Sequence, residues 1–172
     1  WFFGSVLFVS ATVIGYGMAT VIGNYIPERY NTAKTKSLKF PAEKIFNVLT
    51  DISSYPNWKP YVKSVEMLGR DEKYLVQWRE NYILRKPVMY KISKRVDPEW
   101  MEVKVSDPFA KINATWVFRV SSHKSKGIIS IKKYAVIEKP FYRFEAKYLD
   151  GYEKEIDRFM IALNKRLDRL RQ

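Results

Sequence analysis

"FPAEKIFNVLTDISSYPNWKPYVKSVEML", residues 40–68, changes its period twice within a few turns of chain. Ala42, Ile45, Phe46 and Leu49 recur at three- and four-residue steps, the spacing of one helix face, and Pro41 stands at the first turn, where a helix tolerates it. Pro56 and Pro60 then interrupt regular structure, so residues 52–62 predict a second short helix or a turn. From Val62 onward apolar and polar residues alternate, the period of a half-buried strand. Just upstream, "SLKF" (37–40) reads as a short first strand.

Working outward, "YLVQWRE", "VMYKISKRV", "WMEVKVS", "ATWVFRVS" and "IISIKKYAVI" continue the alternation, each rich in β-branched or aromatic residues. Near the end Phe141, Phe144, Tyr148, Ile156, Phe159, Met160, Leu163, Leu167 and Leu170 return to helical steps, with Gly151 marking a bend. The order is strand, two helices, six strands, long helix. An α+β domain accounts for it: a curved seven-stranded antiparallel sheet over residues 37–172, wrapped around a long C-terminal helix whose apolar stripe needs a surface to cover it.

Residues 1–26 differ from everything after them, with no charged side chain and mostly apolar content. That exceeds the roughly 20 residues a helix needs to cross the hydrocarbon core and predicts an N-terminal transmembrane anchor. Residues 27–36, "PERYNTAKTK", read as a linker, and the cations just beyond the apolar run place the domain on the cytoplasmic side of a single-pass protein. Within the apolar run Ala11, Gly15, Ala19 and Gly23 recur every fourth residue, a ridge of small side chains that suits close helix packing and offers a homodimer face.

Composition removes several chemistries. The chain of 172 residues has no cysteine, which excludes a thiolate nucleophile and thiolate metal ligation, and its single histidine, His123, sits in a polar hairpin loop without a triad partner. No phosphate loop, dinucleotide fingerprint or metal-ligand spacing occurs, so neither a metal nor another cofactor is expected. The net charge of +13 is concentrated in the middle of the chain: residues 59–95 carry ten basic and four acidic side chains. Nucleic acid is disfavoured as the partner because no recognition helix or aromatic platform accompanies that charge, and an anionic membrane surface fits it better.

The element order and several motifs resemble the START-like (SRPBCC) superfamily, and within it the polyketide cyclase/dehydrase and lipid-transport family, in a membrane-anchored variant. Pro41, Ala42, Asp51, Tyr55, Pro56, Trp58 and Val65 carry the resemblance, with "WRE" (78–80), "ATWVFRV" (114–120) and "EKPFYRF" (138–144) further on. It implies a helix-grip fold with a hydrophobic cavity between the sheet and the last helix, which in relatives accepts lipids, sterols or polyketides.

Alternation then selects the walls of such a cavity. Val76, Trp78, Tyr90, Ile92, Trp116 and Phe118 share the concave phase, Phe144, Tyr148 and Phe159 face them from the helix, and Tyr61 adds a polar tip. The competing reading is that these side chains simply fill a core. Glu80, in phase with Trp78, is a candidate acid or base together with Tyr90, set against an ordinary ion pair with Arg79 or Arg95. Three functions follow: a carrier of an apolar or amphiphilic ligand such as a lipid, a cyclase- or dehydratase-like enzyme, and an interaction module dimerised by its anchor. The carrier is the leading reading, and the resemblance by itself does not choose, since some relatives are enzymes and many are carriers.

Overall fold

Trp78, Ile92, Met101, Ile129 and Ile131 are buried on one side of the sheet, and Ile156, Leu163 and Leu167 are buried against them from the last helix. A computed structural model describes residues 2–70, 76–124 and 126–171, with the backbone alone for residues 2–11 and 70. The chain runs α1 (Phe2–Asn24), β1 (Arg29–Leu38), α2 (Ala42–Thr50), a short 3₁₀ helix (Ile52–Asn57) and six strands. These are β2 (Val62–Arg70), β3 (Val76–Tyr82), β4 (Val88–Val96), β5 (Trp100–Asp107), β6 (Ile112–His123) and β7 (Lys126–Ile137). Then follow α3 (Pro140–Phe144), a π-helical turn (Glu145–Asp150) and α4 (Lys154–Arg169).

The seven strands form one sheet in the order β1-β7-β6-β5-β4-β3-β2, antiparallel throughout. This order carries β1 across to β7, beside the last strand, and leaves α2 and the 3₁₀ helix to close the space between sheet and α4. The helix-grip α+β architecture expected from the sequence is present.

Three local expectations are corrected. The segment read as a linker, 27–36, forms most of β1, because Tyr30, Thr32 and Lys34 turn inward while the alternate residues of this edge strand face solvent. A strand with only half of one face apolar leaves little periodic signal. The C-terminal helix breaks at Gly151, where a bend was expected, but it is divided there and not one long helix, since Gly151 adopts φ +69, a left-handed conformation that ends one helical segment before α4 begins.

The third correction concerns the small-residue ridge. Ala19 is buried, and a Cβ on Gly23 would lie 1.9 Å from the Pro140 carbonyl oxygen, so this half of the ridge receives α3 of the same chain. Tyr16 extends the contact, its ring 4.7 Å from that of Phe141. A Cβ on Gly15 would meet nothing, and the side chain of Ala11 lies outside the described residues. Among the described residues no helix is long and apolar enough to cross a membrane. The side chains of residues 1–11, which make up much of the expected span, fall outside that description.

Candidate functional site

The alternation of β3 turns Trp78, Glu80 and Tyr82 to the inner face, and that phase overrides any pairing suggested by neighbours in sequence. Glu80 is 0% exposed. Its partner is neither Arg79 nor Arg95: Arg79 reaches outward to Glu66 and Arg95 pairs with Asp97. Instead Lys59 Nζ donates to Oε1 at 2.6 Å and to Oε2 at 2.8 Å. Trp78 Nε1 donates to Oε1 at 3.0 Å, and the Tyr82 hydroxyl donates to Oε2 at 2.5 Å. Three donor groups thus make four hydrogen bonds to the two oxygens, the number a carboxylate can accommodate. Glu80 is a structural centre with no lone pair left to take a substrate proton.

Lys59 lies between two rings, 4.6 Å from the Tyr90 centroid and 4.9 Å from that of Tyr55, so its charge is spread over π-faces as well as the carboxylate. Sequence reasoning missed it because it stands between Pro56 and Pro60 in a turn without periodicity. An inward-phase glutamate on an apolar face was itself the available signal, since a buried carboxylate requires a cation.

The network continues to Tyr90, whose hydroxyl lies 2.5 Å from that of Tyr82. Because Tyr82 gives its proton to Glu80, its oxygen is the acceptor, and Tyr90 donates. The Tyr90 oxygen therefore turns remaining lone pairs toward the half-buried inner face. Burial, reinforced by the Glu80 charge, pushes both phenols well above their ordinary range. At neutral pH they are neutral hydrogen-bonding groups.

A second charged pair lies on the facing elements. Lys133, on the inner phase of β7, donates to Glu155 at the start of α4, and its ammonium lies 5.5 Å from the Tyr30 centroid and 5.3 Å from that of Trp116. Burial alone would lower the Lys133 ammonium, but the Glu155 charge outweighs it and the net direction is upward. Burial likewise pushes Glu155 up, yet Lys133 holds it below the usual carboxylate range. The Glu155 side chain is about half exposed, so solvent screens this pair more than the Lys59–Glu80 pair.

The expected cavity walls fall into two groups. Trp78, Ile92, Trp116, Phe118 and Phe159 belong to the packed core: Phe159 contacts Trp58, Trp116 and Phe118 with ring centroids 5.5, 6.0 and 5.7 Å away, and Trp78 stacks on Tyr90 at 5.3 Å. Val76, Tyr90 and Phe144 are half-buried. Tyr61 and Tyr148 are 62% and 55% exposed and face solvent, Tyr61 from a turn at φ 63 and Tyr148 from the π-helical turn. The inner face is filled at its deep end, whereas Tyr30, Tyr90 and Val105 on the inner phase are only half-buried, with the Tyr30 ring stacked on Tyr152 at 3.9 Å.

A trough of about 750 Å³ lies on the other side of these same strands. Two rows, Arg29, Val136, Asn113, Ser106 and Met89, and Asn31, Tyr134, Thr115, Lys104, Lys91 and Gln77, flank a middle row of Tyr30, Ala135, Ala114, Val105 and Tyr90. The flanking rows have the outward phase and, among the described residues, none of α4 lines the trough, so it crosses the outer face with the flanking side chains as walls and the middle row, whose side chains turn inward, as floor. Among the described residues no cluster of His, Asp or Glu fits a metal ion.

The sheet order and the C-terminal helix packed across the sheet define a helix-grip fold. The chain belongs to the polyketide cyclase/dehydrase and lipid transport family, whose description matches residues 38–148. Solved structures agree on the fold. The Zhui aromatase/cyclase from Streptomyces sp. R1128 is 13% identical, with a TM-score of 0.69 over 84% of this chain and 96% of that one. A START superfamily protein from Mycobacterium smegmatis is 14% identical, with a TM-score of 0.63 over 81% and 98%. A conserved protein from Geobacillus kaustophilus is 16% identical, with a TM-score of 0.65 over 81% and 96%. No curated protein matches the chain by sequence. At these identities the likeness is one of fold alone.

Proposed function

We propose that the chain is a binding or carrier domain for an amphiphilic molecule, a lipid, held at a membrane by its first helix. The observation that carries this reading is the position of the Lys59–Glu80–Tyr82–Tyr90 network, at the border between a dry aromatic core and a half-open inner face. An apolar tail would lie along Tyr30, Tyr90 and Val105, while its polar head meets the Tyr90 oxygen, Lys133 and Glu155. The filled deep end limits insertion, so a short or partly inserted ligand suits the space better than a fully engulfed one. The uncharged run 1–26 supports the anchor, and the cations that follow it support a cytoplasmic domain.

The enzyme reading has less behind it. Glu80 has its four acceptor positions filled, and the upward-shifted phenols of Tyr82 and Tyr90 stay protonated at neutral pH and are weak acids. For a module dimerised through Ala11, Gly15, Ala19 and Gly23, only the Ala11–Gly15 end of the ridge is left, because α3 covers the other. Native mass spectrometry of the full chain, purified in mild detergent, tests the carrier: one co-purifying amphiphile per chain is expected, and a bare chain from several membrane sources contradicts it.

A further inference from the structure

Antiparallel pairing brings the start of β1, the end of β7, the start of β6, the end of β5, the start of β4 and the end of β3 to one edge of the molecule. The β3–β4 and β5–β6 turns therefore share that edge with the exit of α1 and with α3. Its exposed side chains include the large apolar ones of Tyr61, Ile83, Leu84 and Phe109, with Leu84 93% exposed at the tip of its turn. The backbone N–H of Ile83 donates to the Tyr61 carbonyl, and Lys139 donates to the Phe109 carbonyl from the segment leading into α3. These side chains thus belong to one end rather than being scattered over the surface. Exposed apolar residues grouped at turn tips mark an interaction surface.

The occupant is indicated by α1. Helix α3 lies alongside its last turns, and Phe141 touches Tyr16, about 12 Å back along the axis from Asn24. The domain is thus packed against the side of an uncharged helix rather than hung beyond its end. Whatever surrounds that helix also reaches this edge. Lys86, two residues after Leu84, is exposed and Lys139 lies beside Phe109, which sets cations near the apolar tips as seating among acyl chains with cations at phosphate level requires. Arg85 is taken up by Asp107 at 3.7 Å and by the Tyr82 ring.

We infer that the β3–β4 turn, with Phe109, inserts into the lipid bilayer surface and sets the half-open end of the inner face on the membrane. This rests on the proposed membrane reading of α1. The sequence has no cysteine, so Leu84→Cys can carry a single environment-sensitive fluorophore in the full chain, reconstituted in nanodiscs of phosphatidylcholine and phosphatidylglycerol. Phe109→Cys is a second probe position, and Lys104→Cys on the outer sheet face is the reference. Blue-shifted emission at 84 and 109, quenched by brominated acyl chains, with an aqueous spectrum at 104, is the expected result. Aqueous spectra at all three positions would overturn the inference. A shift that brominated lipid does not quench, and that grows with protein concentration, would assign the edge to a second copy and overturn it as well. Bound amphiphile, weighed by mass spectrometry in the same preparation, reports separately on the carrier reading.

Discussion

Lys59 donates to both oxygens of the fully buried Glu80, bridging the turn before β2 and the middle of β3. The two partners are unequal, because Lys59 keeps 15% of its side chain in solvent and Glu80 none. Replacing Lys59 with Met leaves a carboxylate that cannot escape, whereas replacing Glu80 with Gln leaves an ammonium that can swing outward. Lys59→Met should cost about 3–5 kcal/mol, the range for an orphaned buried charge, and Glu80→Gln distinctly less. Urea denaturation of the two variants checks the order, and equal losses would show that the carboxylate reaches water by another route.

Gly23 and Gly15 occupy the same ridge with opposite surroundings. An added Cβ meets the Pro140 carbonyl at 1.9 Å in the first case and nothing within 4 Å in the second. Gly23→Ala is expected to lose about 1–3 kcal/mol by overpacking and to loosen α1 from α3, while Gly15→Ala should leave both unchanged. Limited proteolysis between α1 and β1 reads the difference. Matching digestion patterns would refute the α1–α3 contact.

Phe159 touches three core rings. Phe159→Ala should lower stability by about 3–5 kcal/mol, the usual loss for a buried aromatic. The void it leaves adjoins the inner face, so this variant is also expected to retain bulkier amphiphiles than the parent chain. Thermal denaturation and native mass spectrometry measure the two effects.

Alkaline pH tests the phenol network. Tyr82 and Tyr90 have folded pKa values above the ordinary 10.0, chiefly through burial, and Tyr55 shifts the same way for the same reason. A raised pKa means that the stabilising contribution is complete below pH 10 and is lost as pH climbs toward the folded values. Stability should therefore fall above pH 10, and these three tyrosinates should appear in the ultraviolet spectrum together with unfolding. Their ionisation at 10.0 in a folded chain would place the rings in solvent.

The strands of the middle and the stripe of α4 were legible because each has one face wholly buried, which imposes a clean period. β1 was not, being an edge strand with only Tyr30, Thr32 and Lys34 turned inward near its start. At the site, alternation correctly put Glu80 and Tyr90 on the inner face, but it could not supply Lys59, which comes from a turn. Lys133 was within reach: it shares the phase of Ile131 and Ala135, and a lysine there needs a carboxylate opposite, as Glu155 provides. The small-residue ridge shows the limit most plainly, since its spacing announces a close helix contact without saying which chain supplies the partner.

Photolabelling tests the central claim most directly, because it separates a ligand in the domain from lipid gathered around α1. The full chain in nanodiscs containing a lipid with a photoreactive acyl chain would be irradiated, digested and mapped. Adducts on the inner-face peptides that carry Tyr30, Tyr90 and Val105, reduced by unlabelled lipid, are the result expected of a carrier. Adducts confined to residues 1–26 would contradict it.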